Sequence, residues 1–156
     1  MENTISDEEL ADLRITTLDE LPHESVRYKE VVVTTAEILD LNTTDKVLVA
    51  AEAGKIHEFI SATLIYDYES AAYATNGNLS IADDTGTALS NTVLLANLLA
   101  KTADYMVQLV ALATADTGIV MAENEAINLI CATGDPITGD SPLRVKVAYR
   151  THTSGL

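Results

Sequence analysis

Turn residues cut this chain into short segments rich in β-branched and aliphatic residues, and that spacing constrains the fold more than any other feature. Val26 to Thr35 (VRYKEVVVTT), Lys46 to Ala51 (KVLVAA), Asn78 to Ala82 (NLSIA) and Asp104 to Ala113 (DYMVQLVALA) read as strands. So do Glu125 to Thr133 (EAINLICAT) and the final Leu143 to Thr151 (LRVKVAYRT). The longest candidate runs from Lys55 towards Tyr73. Its alternation puts Ile56, Ile60, Ala62, Leu64 and Tyr66 on one side, and Phe59 and Ile65 among polar residues on the other. Asn76-Gly77 predicts a type I′ hairpin that returns this strand as NLSIA. Ile119 to Met121 is a further short apolar patch.

Helices do not alternate with these strands, so a parallel α/β sheet is excluded. About eight short strands predict an all-β domain, a two-sheet β-sandwich of jelly-roll type. One short helix is expected at Leu89 to Thr102. There Leu94, Leu95, Leu98 and Leu99 recur at helical spacing and Ser90 or Asn91 could cap the start.

Residues 1–27 form a separate N-terminal segment, and 28–156 the sandwich domain. In the first, Ser6 and Glu9 have capping-box spacing, which predicts a short helix from Asp7 to Leu13. Leu10, Leu13, Ile15, Leu18 and Leu21 are scattered among acidic residues. So short a segment cannot bury them alone. They pack on their own domain, on a sister subunit or on a partner, and are the candidate attachment arm.

The chain carries 24 acidic and nine basic residues, a net charge of −15. Phosphate affinity comes from Lys and Arg, so nucleic acid is not an expected partner. Neither is an anionic membrane surface. No apolar leader is visible in MENTISDEELADL, and no apolar run is long enough to span a bilayer. Synthesis in a reducing cytoplasm is expected, and the single Cys131 allows no internal disulfide.

Motifs for chemistry are few. His23, His57 and His152 lack metal-ligand spacing. Cys131 lies on the apolar side of an alternating strand and reads as core. Gly54-Lys55 has neither the earlier glycine nor the following Ser or Thr of a phosphate loop. Asp83-Asp84 and the Asp135/Asp140 loop hold oxygens suited to Ca²⁺, but without calcium-loop spacing; turn-stabilising Asp is the commoner reading. The expectation is no catalytic group, no cofactor and no metal. One basic stripe does emerge. Arg144, Lys146 and Arg150 share a face of the last strand, opposite Leu143, Val145, Val147 and Tyr149. Two readings are open: pairing with carboxylates across the sheet, or contact with the acidic surface of a neighbouring subunit or partner.

A strand apolar on both sides must be covered on both. The apolar stripes, with the leucines of the helix and arm, exceed what one thin sandwich needs. A homo-oligomer with a partly apolar interface is therefore expected.

Three blocks carry a resemblance: SATLIYDYESAAYATNGNLSI (Ser61 to Ile81), KTADYMVQL (Lys101 to Leu109) and ENEAINLICATGDPITGDSPLRVKVAYRTH (Glu123 to His152). Their order of a strand ending in a small-residue and Tyr segment, a turn, a short helix, a strand and a final TGD-rich hairpin ending in L-x-V-x-V-x-Y-R resembles the small jelly-roll proteins of tailed bacteriophage virions. Those serve as head decoration, cement or auxiliary capsid proteins, or as head fibres. The resemblance spans roughly residues 28–152. It implies a homotrimer on the outside of the virion, bound to the major capsid protein lattice and resisting the pressure of packaged DNA. It gives no role to the arm. A trimeric receptor-binding head that adheres to host-surface glycans is the alternative, and a carboxylate glycan hydrolase a more distant one.

Overall fold

The computed structural model describes residues 25–74, 77–112, 118 and 122–154. The expected arm helix, its leucines, His23 and the 119–121 patch lie outside the described residues.

Eight strands form two four-stranded sheets, antiparallel throughout. They are β1 (Arg27–Val33), β2 (Lys46–Val49), β3 (Lys55–Tyr66) and β4 (Asn78–Ala82), then β5 (Val93–Leu94), β6 (Tyr105–Val110), β7 (Ile127–Ala132) and β8 (Leu143–Thr153). Sheet A has the order β1-β8-β3-β6 and sheet B the order β2-β7-β4-β5. Apart from β4 and β5, which are neighbours in sheet B, successive strands swap sheets, the order of an eight-stranded jelly roll. The inward side chains of both sheets join in one core: Leu143, Val145, Val147 and Tyr149 of β8 meet Ile127, Leu129 and Cys131 of β7 and Leu79 and Ile81 of β4.

Sheet swapping corrects the hairpin expected at Asn76-Gly77. NLSIA is a strand, but β4 pairs with β7 and β5 rather than with β3. The chain crosses between sheets at Tyr73 and Ala74. There Tyr73 N–H donates to the Leu99 carbonyl at 3.0 Å, and Ala74 and Ile137 exchange two backbone bonds.

β3 does not keep a single alternation. Phe59 pairs with Tyr149, but the next pair is Ser61 with Ala148, so Ile60 is an extra residue. A bulge of this kind shifts the side-chain phase by one. His57 and Phe59 before it, and Ala62, Leu64 and Tyr66 after it, therefore all point into the core. Ile56 and Ile65 stay on the outer face with Glu58 and Thr63. Phe59 is thus not a second apolar face that needs cover from outside.

The helix expected at Leu89 to Thr102 is absent. The stretch instead forms β5 and one 3₁₀ turn, Leu95–Asn97. Residues 89–91 are drawn away by bonds between the sheets. Asn91 N–H donates to the Val110 carbonyl at 3.1 Å, while the Asn91 side-chain oxygen accepts from Val110 N–H at 2.6 Å. Ser90 Oγ accepts from Ile81 N–H at 2.8 Å instead of capping a helix. Leu95, Leu98 and Leu99 then drop into the shared core, while Leu94 points outward and is 53% exposed. The only α-helical turn among the described residues is Thr35–Ile38. Thr34 and Glu37 form its capping box, a T-x-x-E signal hidden inside a segment that reads as strand.

Candidate interaction surface

The basic stripe and the long strand share the outer face of sheet A, and register sets what lies beside what. Three rows cross the four strands in the order β1, β8, β3, β6. They are Val32–Arg144–Ile65–Met106, Glu30–Lys146–Thr63–Gln108 and Tyr28–Ala148–Ser61–Val110. Apolar side chains occupy the corners: Tyr28 is 80% exposed, Val32 50%, Met106 65% and Val110 53%. Single exposed apolar residues are normal on a surface; here four of them frame one face of one sheet.

Charge fills the middle. Arg144 grips Asp67 with two parallel bonds, Nε to Oδ2 at 2.7 Å and Nη2 to Oδ1 at 3.0 Å. This bidentate geometry holds the Asp67 carboxyl below its ordinary range. Lys146 reaches Glu30 at 3.3 Å, and Glu58 accepts from Arg150 at 3.3 Å and meets His152 Nε2 at 2.9 Å. All three residues of the stripe therefore have carboxylate partners on their own chain. These pairs are half exposed, and each is worth about 0–1 kcal/mol. They orient the face more than they stabilise it.

The end of the sandwich where β3 finishes and β8 begins is fastened in a different way. Asp140 accepts from Ala71 N–H at 2.9 Å, Ser70 N–H at 3.2 Å and the Ser70 hydroxyl. The Ser70 hydroxyl first, then the backbone N–H groups, hold its carboxyl down at about 2. Asp135 likewise takes N–H bonds from Asn42 and Thr43 and the Thr43 hydroxyl. Asp83 accepts from the N–H groups of Thr85 and Thr87, and Asp84 from Ala126 N–H and Asn128 Nδ2. The Asp oxygens read as suited to Ca²⁺ accept bonds that fasten turns. Among the described residues, no group of three His, Cys, Asp or Glu side chains is placed to hold a metal ion.

His57 is buried between two partners: Nε2–H donates to the Ala50 carbonyl at 3.0 Å, and Nδ1 shares a hydrogen bond with the Thr151 hydroxyl at 3.2 Å. The Cys131 thiol is buried, and that burial, with Asp135 nearby, pushes it up to about 11. Neither is arranged as a base or a nucleophile. A hollow of about 230 Å³ lies beside the helical turn, lined by Glu37, Asp40, Asp45 and Lys46. Lys46 is tied to Glu37 there.

Sequence reasoning found the stripe because β8 alternates without interruption. It missed the apolar corners, since a residue's neighbours across a sheet depend on strand order. Leu10, Leu13, Ile15, Leu18 and Leu21 lie outside the described residues.

No protein-family model matches the chain. No curated protein matches it either. A solved structure, described as the cyanophage Pam1 capsid asymmetric unit, contains a chain with 18% sequence identity. The match covers 96% of this chain and 99% of that one, with a TM-score of 0.49. Likeness at that level carries no conclusion about what this chain does.

Proposed function

We propose that the chain is a structural protein of a bacteriophage virion, a decoration or cement protein that forms a homo-oligomer and binds the major capsid lattice from outside. The observation that carries this reading is the outer face of sheet A. Its charged middle is satisfied within the chain, yet Tyr28, Val32, Met106 and Val110 stand exposed around it. A self-satisfied polar centre with apolar corners suits contact with another protein surface better than small-molecule chemistry. The resemblance over residues 28–152 supplies the virion setting and the trimer. Symmetric repetition lets many weak contacts add to firm attachment.

The candidate interface residues fall in two groups, the arm (Leu10, Leu13, Ile15, Leu18, Leu21) and the stripe (Arg144, Lys146, Arg150). The test mixes the purified full-length protein with heads of the encoding virus from which it has been removed. A single oligomer by light scattering and saturable co-sedimentation are expected. A folded monomer at high concentration, with no affinity for the heads, would refute the proposal. The stapled loop from Thr133 to Pro142, which presents exposed Ile137 at one end of the sandwich, favours the receptor-binding alternative. Inhibition of adsorption by the soluble protein would support that reading.

A further inference from the structure

We infer that residues 1–24 of this chain dock on the free edge of β1 and the adjoining outer face of sheet A, so that the two halves of the candidate interface meet each other. This goes beyond the virion reading and does not depend on it.

The first argument is the edge. β1 ends its sheet, with β8 on one side and no strand on the other among the described residues. It is seven residues long, contains three valines and a tyrosine, and exposes Tyr28 and Val32. Such an edge is a ready template for another strand, and native proteins cover or blunt it. The opposite edge, β6, is already partly covered. Val110 and Leu112 bond to Asn91 and Leu89.

The second argument is charge. Residues 1–24 contain eight acidic side chains against Arg14. On the outer face of β1, β8 and β3, Arg144, Lys146 and Arg150 offset Glu30, Glu58 and Asp67, and Lys29 is exposed along the β1 edge. Elsewhere the described residues offer only Lys46, Lys55, Lys101 and buried Arg27 against twelve acidic side chains. An acidic, leucine-bearing segment is repelled by the rest of the body and meets the least repulsion, together with apolar contacts, beside β1.

The third argument is reach. Two residues separate the end of the segment from the start of β1 at Arg27. Twenty-four residues extend to about 80 Å, whereas the next strand position is only about 4.8 Å away. Leu13 to Leu18 (LRITTL) has the β-branched makeup that strand addition favours, and Asp19 to Ser25, with Pro22, supplies residues for a return.

The test uses the full-length protein alone, with no particle present, so its outcome is separate from that of the capsid experiment. Hydrogen exchange is followed at the β1 amides that do not bond to β8. They should exchange at least about 100-fold slower than free peptide. In the variant Leu13→Asp/Ile15→Asp/Leu18→Asp that protection should fall at least tenfold, while β3 and β8 stay unchanged. A photo-crosslinker replacing Tyr28 should join a peptide within residues 10–21. The product's mass, one chain or two, identifies the donor copy, and either supports the inference. Near-free exchange at these amides in the unaltered protein would overturn it. So would protection that survives the triple variant, or crosslinks confined to other segments.

Discussion

Gly139→Ala should be among the most damaging single-methyl additions to this protein, and its cost can be built from geometry. Gly139 has φ +85°, where an L-residue pays about 1–2 kcal/mol. An added Cβ would also sit 2.5 Å from Cγ and Cδ1 of Tyr73 and 2.7 Å from Cε1. Carbon atoms pack at about 3.5–4.0 Å, so the ring would have to retreat by about 1 Å. It has little freedom to do so. Tyr73 is buried, its hydroxyl donates to the Ser141 carbonyl at 2.8 Å, and its N–H donates to Leu99. Overpacking of this sort costs about 1–3 kcal/mol, and loss of the hydroxyl bond about 1 more. The expected total is about 3–6 kcal/mol, a large share of a typical stability of about 5–15.

Gly86→Ala is the control. Gly86 has φ +82°, but nothing lies within 4 Å of an added Cβ. It should pay only the backbone term, about 1–2 kcal/mol. Urea unfolding of both variants isolates the steric part. A gap of about 2 kcal/mol corresponds to about 1 M in midpoint at a slope near 2 kcal/mol/M. If the two variants unfold within about 0.5 kcal/mol of each other, the Tyr73–Gly139 contact is not what holds the loop in place.

Three further outcomes follow from the same structure. Leu98→Ala should cost about 2–5 kcal/mol in urea unfolding, because its side chain is fully buried, while exposed Leu94→Ala should change stability by less than about 0.5; equal costs would restore the helix. Asp140→Asn should destabilise the protein near neutral pH. Its folded pKa of about 2 lies below the ordinary 3.8, so its contribution is full above about pH 4 and fades as pH falls to about 2. Unfolding midpoints measured from pH 7 to 2 should therefore converge for the two proteins, and parallel curves would contradict the N–H-bonded carboxylate. Cys131 should resist alkylation at pH 8 until the protein unfolds, because its thiol is buried and its pKa is raised to about 11; rapid labelling of folded protein would contradict its burial in the core.

Local pattern made much of the fold legible. The period of two along β8 separates Leu143, Val145, Val147 and Tyr149 from Arg144, Lys146 and Arg150 with no help from the rest of the chain, because nothing interrupts that strand. The same holds for Ile127, Leu129 and Cys131 of β7. The period fails in β3, where Ile60 is an added residue; side-chain phase depends on backbone pairing, and no residue type announces a bulge. The leucines at 94, 95, 98 and 99 mimic a helix for a related reason. Spacing records which residues are greasy, and a 3₁₀ turn that plugs the end of a sandwich buries nearly the same set.

By itself the sequence determined an all-β sandwich with an acidic surface, the inward and outward sides of its uninterrupted strands, and a core role for Cys131. Strand order, the bulge, the sheet crossing at Tyr73 and the placing of Tyr28, Val32, Met106 and Val110 around one charged patch were decided only by tertiary structure. The physical reason is range. Alternation and turn chemistry act between residues a few positions apart, whereas Tyr28, Ala148, Ser61 and Val110 fall into one row only when strands distant in sequence hydrogen-bond in a particular register.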